Sequence, residues 1–213
     1  MDIIRNFVVL EGGDGSGTTT QLAMLTERLK NTQKLPFFPT FEPTDGKIGL
    51  IIRAALKKEI ILNPETICFL FAADRNEHLY EKDGIIERAA RGGLVISDRY
   101  FLSSLVYQGI ECGDELPEIA NSRFPAPEIT IFFDIKPEIA IERIKSRPSR
   151  EIYEHLDFQK KVHEKYLSVL KNFTEKGGRV EIIDASEEAS KIADKVWSII
   201  SQMPIFIQSE SFL

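Results

Sequence analysis

The feature that most constrains this chain is a strand, a glycine-rich turn and a helix in immediate succession. Phe7-Val8-Val9-Leu10 is a compact apolar run, glycines 12, 13, 15 and 17 follow, and Leu22, Leu25 and Leu29 then recur at helical spacing. Such a turn lets backbone N–H groups face an anion, and the helix amino terminus adds its positive dipole end. Gly12 and Gly17 stand at the spacing of the phosphate-binding loop G-x-x-x-x-G-K-[ST]. Gly13, Asp14, Gly15 and Ser16 fill the loop, and Thr19 falls where a Mg²⁺-binding hydroxyl belongs, with Thr20 beside it. Thr18 occupies the lysine position. By itself the segment also reads as a tight strand–helix connection.

The rest of the chain repeats the pattern. Short apolar runs at 35–41, 94–97, 129–133 and 180–183 are each followed by a segment long enough for a helix. Near-continuous apolar strands separated by helices indicate a parallel sheet covered on both faces. The expected architecture is α/β, one doubly wound five-stranded parallel sheet forming a single domain over 1–213. Helices are expected over 49–58, from Asn63-Pro64-Glu65 through Tyr80, from Pro137 to near Arg147, over 156–176 and over 187–202. Residues 204–213 suggest no assignment.

Composition narrows the partners. The net charge of −6 argues against a nucleic-acid partner, because counterion release requires a basic surface. No run approaches the roughly 20 apolar residues needed to cross a bilayer, and Met1 to Asn6 lacks the pattern of a secretory leader. A cytoplasmic protein without membrane contact is expected. Cys68 and Cys112 have no metal-type spacing and read as reduced packing or surface residues; His78, His155 and His163 read as solvated.

At the end of the apolar run at 94–97 stands Asp98-Arg99-Tyr100. An acid at the carboxyl end of a buried strand lies where open α/β sheets bind ligands, and it can hold Mg²⁺ while the arginine reaches a phosphate. Alone the pair also reads as a structural ion pair. The segment Leu70-Phe71-Ala72-Ala73-Asp74-Arg75-Asn76-Glu77-His78 resembles the L-F-A-A-D-R-x-x-H of thymidylate kinases, which are P-loop nucleoside monophosphate kinases. Asp98-Arg99-Tyr100, Ser103-Ser104 and Tyr107-Gln108-Gly109 are similar to that family's D-R-Y-x-x-S-x-x-A-Y-Q-G, and Phe7 to Gln21 to its F-x-x-x-E-G-x-D-G-x-G-x-T-T-Q. Glu42-Pro43 resembles the family's T-R-E-P, with Phe41 in place of the arginine, and Ile52-Arg53 the following I-R. The blocks occur in the family's order and cover residues 7 to 200.

The resemblance implies a kinase that moves the γ-phosphate of ATP to dTMP with Mg²⁺, acting as a homodimer. It implies that Phe71 stacks on thymine, that Arg75 and Gln108 bond the base edge, and that Ser103 and Ser104 lie beside it. Arg53 and Arg99 would hold the monophosphate, Asp14 would meet the 3′-hydroxyl, and Tyr107 would crowd a ribose 2′-hydroxyl. Residues 12–20 would cradle the ATP phosphates, with Mg²⁺ on Thr19 and Asp98. A lid over about 147–155 would supply Arg147 and Arg150 to the transition state, with Arg143 as a further candidate. Without the family motif, Phe71 reads as core, Arg75 as a surface ion pair and the lid as a solvated basic loop.

Thr18 is the largest departure, since losing one such donor typically lowers the rate by about 10²–10³. Either an arginine of the lid or a lysine from elsewhere compensates, or the protein is a nucleotide-binding regulator with weak or lost transfer. A kinase for another monophosphate is the remaining alternative.

Overall fold

Every apolar run expected to be a strand is one in the computed structural model, which describes residues 1–32, 35–145 and 156–210. The lid segment with Arg147 and Arg150, and His155, lie outside the described residues. The order is β1 (Ile3–Glu11), α1 (Thr18–Thr32), β2 (Phe37–Phe41), α2 (Lys47–Leu56), α3 (Pro64–Tyr80), α4 (Ile85–Ala90) and β3 (Leu94–Asp98). It continues α5 (Phe101–Cys112), α6 (Glu115–Asn121), β4 (Ala126–Asp134), α7 (Pro137–Ile144), α8 (Leu156–Glu175), β5 (Val180–Asp184), α9 (Ala189–Ile200) and α10 (Pro204–Glu210). The sheet runs β2-β3-β1-β4-β5 with every pairing parallel. The expected α/β fold is therefore present.

Successive side chains of a strand point to opposite faces, so each strand feeds two cores. Phe7, Val9, Val95 and Phe132 pack with α2–α5 and α8, whereas Val8, Leu10, Ile96, Ile131 and Phe133 pack with α1, α9 and α10. β1 therefore hands the chain to α1 on one face and β3 hands it to α5 on the other. The crevice between those two departures, at the strands' carboxyl ends, is where this kind of sheet binds ligands.

Several boundaries differ from expectation for local reasons. α2 begins at Lys47, two residues early. α7 stops at Ile144, short of the expected Arg147. α8 ends where Gly177 takes φ 93° and the Gly177 and Gly178 amides cap the Thr174 and Phe173 carbonyls. The short helices α4 and α6 were not foreseen, because six or seven residues give too little periodicity to read. The expectation of a solvated His78 is corrected: it is buried, bonded to Thr40 Oγ1 at 2.6 Å and Glu42 Oε1 at 3.1 Å. Arg75 likewise sits in the interior, 1% exposed, and forms no surface ion pair. No helix among the described residues is long and apolar enough to cross a membrane.

Candidate active site

The crevice is a cavity of about 660 Å³ that gathers residues from the ends of β1, β2 and β3 and from α1, α2, α3 and α5. At its floor the chain leaves β1 through Gly12–Gly17 and enters α1 at Thr18. Gly15 (φ 85°) and Gly17 (φ 95°) adopt left-handed backbone that a side chain would strain. The loop closes on itself through Ser16 N–H to Gly13 O at 3.1 Å, and the helix starts with Gln21 N–H to Gly17 O at 3.0 Å.

Thr19 Oγ1 donates to Asp98 Oδ2 at 2.6 Å. Asp98 is buried, and its Oδ1 has no hydrogen-bond partner among the described residues. A buried carboxylate oxygen left in this condition is costly unless a cation or donor joins it. Thr18 is buried beside them and lines the crevice.

In the middle of the cavity, Arg99 sits in the left-handed region at φ 74°. Its Nη2 donates to Asp14 Oδ1 at 2.7 Å and its Nη1 to Ser103 Oγ at 3.2 Å, while the guanidinium lies 5.2 Å from the Tyr107 ring centre. Burial opposes charge on Arg99, but Tyr107, Asp14, Tyr166 and Asp98 outweigh it and hold the guanidinium above its ordinary value. Burial likewise pushes the Tyr107 hydroxyl up. The other Asp14 oxygen accepts from Gln159 Nε2 at 2.9 Å. Arg53, from α2, donates to Pro43 O and Asp45, and its guanidinium lies 5.3 Å from the Phe41 ring. Phe41 thus occupies the family's arginine position as an aromatic platform for a second arginine.

The far end is built around Arg75. Its Nε donates to Glu42 Oε2 at 2.9 Å, its Nη2 to Ser104 Oγ at 3.1 Å and its Nη1 to Asn121 Oδ1. Gln108 is buried nearby on the cavity wall, and its Nε2 donor has no partner among the described residues. Phe71 lines the same wall, partly buried against the core.

The structure therefore brings Asp14, Thr18, Thr19, Arg53, Phe71, Arg75, Asp98, Arg99, Ser103, Ser104, Tyr107 and Gln108 around one cavity. Ser103 turns toward Arg99, whereas Ser104 meets Arg75, so the two serines divide between the ends. Arg143 stands apart, donating to the Ala185 carbonyl at 2.9 Å and the Ser186 carbonyl at 3.4 Å. Sequence reasoning missed Glu11, Glu42, Asn121, Gln159 and Tyr166. Gln159 and Tyr166 carried a signal, because they are polar members of the buried stripe of α8 that also holds Val162, Val169 and Phe173. Glu42 stood inside a quoted motif without a role.

Residues 10–196 match the family model described as Thymidylate kinase. A Treponema pallidum protein is 39% identical over 199 residues, covering 92% of this chain and 95% of the relative. A Pyrobaculum aerophilum protein is 38% identical over 201 residues, covering 94% and 98%. Both are provisionally named thymidylate kinases. A Ligilactobacillus salivarius protein named thymidylate kinase is 34% identical over 212 residues, covering 92% and 97%.

Proposed function

The chain belongs to the thymidylate kinase family, and we propose that its cavity aligns dTMP with Mg²⁺-ATP for in-line transfer of the γ-phosphate. The observation that carries this reading is that one cavity is lined by the glycine-rich loop, by Arg53 and Arg99, and by the buried Arg75 together with Gln108, whose amide has no partner among the described residues. Residues 12–20 bind the ATP phosphates through backbone amides. Arg53 and Arg99 hold the acceptor phosphate, and Asp14 faces the sugar 3′-hydroxyl. Arg75 and Gln108 bond the thymine edge, Phe71 stacks on the ring, Ser104 lies beside the base while Ser103, expected there too, supports Arg99 instead, and Tyr107 excludes a 2′-hydroxyl.

The Asp98–Thr19 pair fits a divalent cation, since Asp98 offers a buried oxygen with no partner among the described residues beside a hydroxyl. No cluster of three or more His, Cys, Asp or Glu able to cage a metal occurs among the described residues. This suits Mg²⁺, which takes one or two carboxylates and completes its shell with water and substrate phosphates. When bound it neutralises charge across the β- and γ-phosphates.

Transfer of this kind asks the protein for alignment and charge neutralisation rather than covalent chemistry. With Thr18 at the lysine position, we assign the missing positive charge to Arg147 and Arg150 of a lid over about 147–155. Thr18→Lys then changes kcat little in the wild-type background and rescues Arg150→Ala, in steady-state kinetics. A rise in kcat of about tenfold or more from Thr18→Lys alone sinks the assignment, since it is the gain of an uncompensated donor. A nucleotide-binding regulator finds no support in the relatives' names.

The chain acts as one domain in the cytoplasm, where both nucleotides are available, and it pairs with a second copy. Exposed Leu50 and Ile51 on α2, Ile61 after it and Phe69 on α3 support an apolar interface. Light scattering that returns the mass of one chain overturns the pairing. The principal test is ADP release with a panel of monophosphates: dTMP is preferred, dUMP is weaker, CMP is negligible, and equal turnover of CMP and dTMP refutes the reading.

A further inference from the structure

Glu11 closes β1, is completely buried, and has no cation in direct contact among the described residues. Its Oε1 accepts the backbone amides of Tyr100 at 3.0 Å and Ser103 at 3.3 Å. Its Oε2 accepts the hydroxyls of Ser103 at 2.6 Å and Tyr166 at 3.0 Å. Four donors on one carboxylate come from the turn after β3, from α5 and from α8. No side chain of the local sequence caps α5, so this carboxylate from a distant strand serves the orphan amides at its start.

The position matters because of what Glu11 surrounds. Arg99 is a non-glycine residue at φ 74°, a strained conformation that persists only when its surroundings over-determine it. Its amide donates to Leu10 O at 2.9 Å and its carbonyl accepts Ser97 Oγ at 2.7 Å. The next amide, Tyr100 N–H, is held by Glu11. Beyond the turn, Arg99 Nη1 reaches the same two hydroxyl oxygens that Glu11 engages, Ser103 Oγ at 3.2 Å and Tyr166 OH at 3.4 Å. With their hydrogens directed at Glu11, both oxygens present lone pairs to the guanidinium. Its remaining arm is then free to meet Asp14 and the cavity.

We propose that Glu11 is a positioning residue for the acceptor nucleotide: it clamps the strained Arg99 turn through two amides and aims the Arg99 guanidinium through the Ser103 and Tyr166 hydroxyls. The inference rests on the assignment of Arg99 to the acceptor phosphate. Glu11 touches neither nucleotide nor metal in this arrangement; three of its four donors belong to the turn after β3 and α5, while the fourth, the Tyr166 hydroxyl, also meets the Gly12 carbonyl of the loop at 3.3 Å. Burial lifts the Glu11 carboxyl to about 7, against the bonds from Ser103, Tyr166 and Tyr100 and the field of Arg99.

The test uses the full chain, with dTMP binding measured by calorimetry and steady-state kinetics varied in each substrate. Glu11→Gln raises the Kd and KM for dTMP roughly tenfold, the scale of one charge-assisted hydrogen bond. The KM for ATP moves by less than about twofold, because the phosphate loop is tied to this cluster only through the long Tyr166–Gly12 bond. The double variant Ser103→Ala, Tyr166→Phe weakens dTMP binding similarly, and adding Glu11→Gln to it brings less than about a further twofold, because the relay is already cut. Loss of dTMP and ATP affinity alike, or multiplying effects of the two sets of changes, overturns the proposal. If Glu11→Gln does not fold, unchanged dTMP binding in the hydroxyl double variant overturns it instead. Wild-type protein that does not bind dTMP brings down the assignment of the cavity as well; wild-type binding that Glu11→Gln leaves intact brings down this inference alone.

Discussion

Arg75 shows how one side chain can serve both the fold and the site. It is 1% exposed, its partner Glu42 is 5% exposed, and the pair also engages Ser104, Asn121 and His78. Breaking a buried pair by removing one partner typically costs about 3–5 kcal/mol, because the other charge is left without compensation. Arg75→Ala is therefore expected to lower the melting temperature strongly and to abolish the preference for dTMP. Gln108 stands in the opposite situation. Its Nε2 has no partner among the described residues, so Gln108→Leu, close in volume, removes no internal bond from that donor. Thermal denaturation should move little while the ratio of kcat/KM for dTMP over CMP collapses. A Gln108→Leu protein that keeps the wild-type ratio takes Gln108 out of base recognition. The sequence motif pointed to both residues. It could not distinguish a side chain embedded in an ion-pair cluster from one whose amide has no partner among the described residues, because that difference is made by Glu42 and Asn121, 33 and 46 positions from Arg75.

At the scale of elements, the phosphate loop is held by packing as well as by its own glycines. A Cβ on Gly15 would lie 2.5 Å from the Ala140 carbonyl oxygen and 3.0 Å from Ile144 Cγ1, and the residue has φ 85°. Gly15→Ala must therefore push the loop away from α7 in addition to straining its backbone, each a matter of about 1–3 kcal/mol. Gly113 is the control, because it has φ 83° at the end of α5 and nothing within 4 Å of a built Cβ. Gly113→Ala should show only the backbone cost in denaturant melts and keep the KM for ATP; Gly15→Ala should raise that KM sharply. Equal kinetics in the two variants would mean that the α7 contact does not shape the loop. The elements themselves were legible where one strand or helix carries its own signal. The Phe7–Leu10 run, the glycines and the leucines of α1 are contiguous, and α3 opens at Asn63 with Pro64 in its first turn as expected, although the Asn63 side chain makes no cap bond. α4 and α6 have less than two turns each, and α5 hides its start because its cap comes from Glu11 rather than from a neighbouring side chain.

For the molecule as a whole, the same buried carboxylate sets a pH dependence of stability. Strand order and packing bring Glu11, Ser103, Tyr166 and Arg99 together from across the chain, which no local pattern announces. In the folded state burial raises the Glu11 carboxyl from its ordinary 4.5 to about 7, outweighing the lowering by Ser103, Arg99, Tyr166 and Tyr100. The folded protein thus binds a proton that the unfolded chain releases, and stability falls with rising pH wherever the native state holds more protons. The contribution is fully present below about pH 4.5, declines between there and pH 7, and is lost above the folded value. At about 1.4 kcal/mol per pH unit, the whole loss is about 3 kcal/mol. Other groups titrate in the same window, so the informative quantity is the difference between wild type and Glu11→Gln, in which they cancel. Urea denaturation at pH 5 and pH 8 should show Glu11→Gln gaining on wild type by about that amount as the pH rises. Because Gln cannot ionise, the variant becomes relatively more stable at pH 8 even as it binds dTMP less well. Parallel stability curves for the two proteins would show that Glu11 carries the same charge at both pH values in the folded state, and that its four donors outweigh burial.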